Sequence, residues 1–137
     1  MLTQTTSAVA KDPTVDASLI YVVDDESMIG EVVEVILSLE GLRSKFFQNP
    51  LSALSEIGEA NPRPSLLLTD FVMTPLNGME LIERCKELYP GLKTILYSGN
   101  VGEDITQFYS VQPDAFLSKP FLPKTLVNTV QSVLKGK

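Results

Sequence analysis

The sequence predicts an α/β fold, a five-stranded parallel sheet of order 2-1-3-4-5 flanked by five helices. Three observations point there. Short apolar runs such as Leu19-Ile20-Tyr21-Val22-Val23 and Leu66-Leu67-Leu68 have the length and continuity of strands buried on both faces. Between such runs lie segments whose apolar residues recur at helical spacing, so strands and helices alternate. Acidic or small polar residues close several of the strand-like runs, as suits a crevice formed by the carboxyl ends of parallel strands.

Leu19 to Val23 is the first expected strand. From Ser27 a helix follows, with Ile29, Val32, Val33, Ile36, Leu37 and Leu39 on its apolar side and Gly41 past its end. Leu42 to Phe47 supplies the second strand, and its Arg43 and Lys45 suit a sheet edge. Asn49-Pro50 opens a helix carrying Ala53, Leu54 and Ile57. Pro62 and Pro64 are expected to interrupt the chain before a central strand, Ser65 to Asp70. A turn at Pro75-Leu76-Asn77-Gly78 leads into a helix from Met79 to Leu88 with Leu81, Ile82, Cys85 and Leu88 inward. Leu92 to Tyr97 is the fourth strand, ahead of the polar group Ser98-Gly99-Asn100. A weak helix is expected from Gly102 to Tyr109, packing through Ile105, Phe108 and Tyr109. Asp114 to Leu117 is the last strand, and a final helix from about Leu122 presents Leu126, Val130, Val133 and Leu134. Right-handed crossovers then place helices on both faces of the sheet.

A chain of 137 residues with 44% hydrophobic and 20% charged residues builds one core, here residues 19–137 behind a flexible leader of residues 1–18. The net charge of -6 and the lack of any Lys or Arg run argue against direct nucleic-acid binding. No apolar run approaches the roughly 20 residues of a membrane span, and the leader lacks the pattern of a secretory signal. With a single cysteine, Cys85, read as a small buried hydrophobe, the expected setting is cytoplasmic. No histidine is present, so any phosphohistidine chemistry belongs to a partner.

The topology gathers Asp24 and Asp25, Asp70, Ser98 and Lys119 at one sheet edge, each just at or past a strand end. Singly these residues serve as helix caps, turn residues or solvated surface groups. Jointly they describe chemistry. Clustered carboxylates call for a hard divalent cation such as Mg²⁺, for which Mn²⁺ substitutes. Asp70 is then the attacking carboxylate, Lys119 pairs first with it and afterward with a phosphoryl oxygen, and Ser98 offers a hydroxyl to another.

At Val23-Asp24-Asp25-Glu26, Leu68-Thr69-Asp70 through Asn77-Gly78, Tyr97-Ser98-Gly99 and Phe116-Leu117-Ser118-Lys119-Pro120-Phe121 the chain resembles the receiver domains of two-component response regulators, chemotaxis regulators among them. The resemblance runs from Leu19 to Leu134 and implies a flavodoxin-like receiver fold. It implies phosphotransfer to Asp70 from a histidine kinase or histidine phosphotransfer protein, followed by slow self-dephosphorylation without turnover of an external substrate. It assigns the metal site to Asp24, Asp25, Asp70 and the backbone carbonyl of Val72, with Asp25 and Asp70 the more direct ligands. Ser98 and Phe116 become switch residues, Lys119 the family lysine, and Pro120 the residue after a cis bond. The signal would pass to a downstream protein target or a fused output domain. A surface of the fourth helix, fifth strand and fifth helix would serve a phosphorylation-linked homodimer.

The acceptor loop departs from the family in carrying Thr74-Pro75 where many relatives place proline one residue earlier, while Gly78 keeps its offset. Two other readings compete: an interaction module whose binding ignores phosphorylation, and a haloacid-dehalogenase-like phosphatase. The phosphatase wants a second aspartate where this chain has Val72, and the sequence after the first strand has no Gly-rich nucleotide loop. Val72 borders the expected path of hydrolytic water and offers no hydrogen bond to orient it. Phosphorylated Val72→Asn should therefore decay several-fold faster than wild type when followed by intact mass. Equal or slower decay would sink that role.

Overall fold

The computed structural model describes residues 14–99 and 103–136. Outside them lie most of the expected leader (1–13), Asn100, Gly102 and Lys137, and also the expected packing of the Ile105 side chain. Strands β1 (Val15–Val23), β2 (Arg43–Phe47), β3 (Arg63–Asp70), β4 (Lys93–Ser98) and β5 (Ala115–Ser118) form one sheet of order β2-β1-β3-β4-β5. All four pairings are parallel. Helices α1 (Ser27–Leu39), α2 (Pro50–Glu59), α3 (Gly78–Leu88) and α4 (Pro123–Leu134) connect or follow them.

Alternation along the strands divides the interior into two cores. Ile20, Val22, Leu66, Leu68, Ile95, Tyr97 and Leu117 meet Val33 and Leu37 of α1 and Leu126, Val130 and Val133 of α4 on one side. Tyr21, Val23, Leu67 and Leu96 meet Ala53 and Ile57 of α2 and Leu81, Ile82 and Cys85 of α3 on the other. Cys85 is wholly buried, and desolvation pushes its thiol up to about 12, so it acts as packing rather than as a nucleophile.

Several local expectations are corrected. The described residues hold four α-helices, and the segment between β4 and β5 is instead a 3-10 helix, Glu103–Phe108. Six residues containing Asp, Ile and Thr are too short and too poor in helix formers to sustain an α-helix. Phe108 is 80% exposed rather than packed, while Tyr109 joins the α2–α3 core. Val32, Leu39 and Leu88 also face outward, because α1 and α3 bury only the narrow stripe that meets the sheet. β1 starts at Val15, four residues before the apolar run, since Val15 and Asp16 pair with Arg63 and Pro64 of β3. Asp16 accepts hydrogen bonds from the Ser18 amide and hydroxyl, beside an irregularity in the pairing register, and ion-pairs with Arg43. Pro64 lies inside β3 rather than ahead of it, at the second position, where its partner Asp16 borders an irregularity in the register with β1.

Capping fixes the ends that aim the site. Asn49 accepts from the Leu51 amide at the start of α2. Asn77 accepts from the Glu80 amide, and Glu80 answers by accepting from the Asn77 amide, a reciprocal cap on α3. Gly41 ends α1 at φ 77°, a left-handed conformation that suits glycine. Gly78 is needed for closeness: a Cβ there would sit 2.2 Å from the Asp70 carbonyl oxygen and 2.6 Å from Leu96 Cδ1. Its amide also donates to the Phe71 carbonyl at 2.8 Å, closing the loop that leaves β3. Gly78→Ala should cost ~1–3 kcal/mol in urea unfolding, because the obstructing atom is backbone and cannot rotate away. An unchanged midpoint would contradict this close packing.

Candidate functional site

β1 and β3 lie side by side, with Val23 paired to Thr69, so the acids that end them meet at one edge. Asp24 follows the last residue of β1 and is fully buried, and Asp25 next to it is exposed. Asp70 is the last residue of β3 and is buried. Oxygens of Asp24, Asp25 and Asp70 all lie within 4.8 Å of one another. Three hard oxygen donors converging on one point, one of them solvent-facing, fit a divalent cation that keeps water among its ligands.

Lys119, placed by the turn after β5, brings its Nζ to 3.3 Å from Asp70 Oδ2 and 3.7 Å from Asp24 Oδ2. Its own amide donates to the Ser98 carbonyl at 2.8 Å, tying the lysine loop to the end of β4, and the Lys119-Pro120 bond is cis. The Thr74-Pro75 bond, where the sequence departs from its family, is cis as well. Ser98 ends β4 with its hydroxyl buried and without a hydrogen-bond partner. A buried hydroxyl left open is costly, and such a group is free to take up an incoming hydrogen-bond partner. Val72 is 66% exposed in the loop after β3. Phe116 lies in β5, half-buried against the α2–α3 core.

One participant has no assigned role in the sequence reading. The Tyr97 hydroxyl donates to Asp24 Oδ2 at 2.7 Å, and the other oxygen of Asp24 accepts from the Glu26 amide at 2.8 Å. Tyr97 pairs in register with Asp70 on the neighbouring strand. The available signal was periodicity, since Tyr97 shares a sheet face with Ile95 and is adjacent to the site serine. Burial pushes its phenol well above the ordinary value, and the Asp24 charge adds to the rise, so the hydroxyl stays a donor.

The pattern of residues 20–131 matches the response regulator receiver domain. The chain belongs to the response regulator receiver family. This receiver is 32% identical over 119 residues to the phosphate regulon transcriptional regulatory protein PhoB of Pseudomonas aeruginosa, covering 85% of this chain and 51% of that protein. It is 32% identical over 117 residues to the response regulator receiver protein CpdR of Brucella abortus, covering 84% and 95%. The receiver thus spans about half of PhoB and nearly all of CpdR. Among solved structures, the CheY-like receiver domain protein of Methanospirillum hungatei superposes with a TM-score of 0.78 at 26% identity, over 86% of this chain and 94% of that one. The acidic cluster sits where receivers carry their phosphoaspartate and metal site, and that membership overturns the phosphatase alternative. Among the described residues no helix is long and apolar enough to cross a membrane.

Burial raises the Asp70 carboxyl above its ordinary value near 3.8, and the Asp24 charge adds to this while Lys119 opposes it. The folded receiver therefore binds more protons at Asp70 than the unfolded chain between those two values, and stability falls as pH rises through that window. At pH 7 without divalent metal, Asp70→Asn should melt above wild type. The gain should vanish below the ordinary carboxylate value, and thermal melts across pH measure both.

Proposed function

We propose that this receiver is a phosphorylation switch whose acceptor is Asp70, charged by the phosphohistidine of a histidine kinase or histidine phosphotransfer protein. The observation that carries the reading is Lys119 at 3.3 Å from Asp70, beside two further carboxylates and an unpartnered buried hydroxyl. A carboxylate oxygen of Asp70 attacks phosphorus in line, and the P–N bond to the donor imidazole breaks with its electron pair returning to nitrogen. Lys119 moves its charge from the carboxylate to a phosphoryl oxygen, and Ser98 donates its hydroxyl to another. Asp25, Asp70 and the Val72 carbonyl, with Asp24 behind them, would hold Mg²⁺ or Mn²⁺, which offsets the repulsion between the two anions.

Return to the resting state is hydrolysis: water attacks phosphorus, Asp70 leaves as a carboxylate, and inorganic phosphate departs. The Val72 side chain offers neither a base nor a hydrogen bond to orient that water, which suits a persistent signal. Inward movement of Ser98 on phosphorylation leaves room for Phe116, and the face of the 3-10 helix, β5 and α4 changes as a result. That face is where a downstream target, an attached output domain or a second receiver would read the state.

Incubation with a small phosphoryl donor, followed by intact mass, tests the acceptor. Wild type should gain one phosphoryl group only with Mg²⁺ present, and Asp70→Asn none. Failure of folded wild type across several donors would favour an interaction module that ignores phosphorylation.

A further inference from the structure

Tyr97 is fully buried, so its hydroxyl must find a partner inside the protein. It reaches from β4 past β3 to an acid that follows β1, and takes an oxygen of Asp24 that would otherwise face Lys119 alone. With the Glu26 amide on the second oxygen, the Asp24 carboxylate is held at both ends. The same ring meets the Lys119 ammonium, 5.0 Å from its centroid, and Phe121 packs edge-on against it at 5.6 Å. One aromatic side chain therefore touches an acid through its hydroxyl and the site lysine through its face.

We propose that Tyr97 is a positioning residue of the phosphoryl-accepting site, fixing Asp24 behind the metal-holding pair Asp25 and Asp70 and leaving Lys119 to Asp70. The proposal rests on Asp70 being the acceptor. Phenylalanine at position 97 would fill the same space but withdraw the hydroxyl, and Asp24 would then draw on the two positive charges within reach, the lysine and the cation. Lys119 would be shared more evenly between the acids, slowing attack by Asp70. Asp24, relieved of a neutral donor, would attract the cation more strongly. A residue that only fills space would, when altered, lower metal affinity, rate and melting temperature together.

The test uses Mn²⁺ alone, with the free ion counted by electron paramagnetic resonance, and phosphorylation followed by intact mass at saturating Mn²⁺. Tyr97→Phe should bind Mn²⁺ about three- to tenfold more tightly and phosphorylate slower by a similar factor. In an Asp24→Asn background the same substitution should leave Mn²⁺ affinity unchanged. Unchanged or weaker binding by Tyr97→Phe, or tighter binding that persists without the Asp24 charge, overturns the proposal. Wild type gives a second check should the variant not fold: a slowly exchanging Tyr97 hydroxyl proton in the NMR spectrum, retained when Mg²⁺ is added. Its loss on adding Mg²⁺ would show Asp24 leaving Tyr97 for the metal, and would equally overturn the idea. Wild type that binds Mn²⁺ yet takes no phosphoryl group would count against Asp70 as acceptor, and the Mn²⁺ affinities would still judge Tyr97.

Discussion

Like charges held together where water is scarce constrain everything else in this receiver. Asp24 and Asp70 are both buried, and with Asp25 their oxygens fall within 4.8 Å, an arrangement that water would screen but a protein interior does not. Among the described residues the fold answers with Lys119, set 3.3 Å from Asp70 and 3.7 Å from Asp24. It adds neutral donors to the acid it does not leave free, through the Tyr97 hydroxyl and the Glu26 amide. The charge that remains suits the cluster to a divalent cation, so the repulsion equips the site rather than standing as a defect beside it.

Holding that arrangement is the work of two apolar cores. The sheet is clamped between α1 and α4 on one side and α2 and α3 on the other, and burial of the Ile20, Leu66, Leu67 and Ile95 side chains supplies the stabilisation that offsets the charged edge. The acids sit at the end of this clamp, where the backbone of β3 gives way to the loop closed by Gly78. Precision there comes from contacts that tolerate no extra atom, as the glycine against the Asp70 carbonyl illustrates.

Much of this was legible in the sequence because it is written in period and punctuation. Leu66 to Leu68 announces a central strand, Arg43 and Lys45 an edge strand, Asn49-Pro50 a helix start, and all three hold. The acids, serine and lysine could be placed together because strand order alone decides which ends meet. What failed was local and depended on tertiary partners. Val15 and Asp16 join β1 because β3 lies alongside, a fact no residue in that polar stretch declares. Val32 and Leu39 have the right spacing for α1 but the wrong side of the helix, since only Gly30, Val33 and Leu37 are fully buried there. The tie from Tyr97 to Asp24 crosses 73 residues of chain, and a tyrosine in a buried run reads as packing until the register of β4 on β3 is known.

The two neighbouring acids differ in a way that divides the site into a dry floor and a wet rim. Asp24, Tyr97 and Ser98 form the floor, locked into the packing of the sheet, whereas Asp25 and Val72 stand in solvent. Changes on the floor are felt by folding and by chemistry at once. Changes on the rim meet solvent more than packed neighbours and so cost folding little. The solvent-facing half of the site and the integrity of the packed sheet are thereby separable in this molecule, and the rim can drift in sequence while the floor is held.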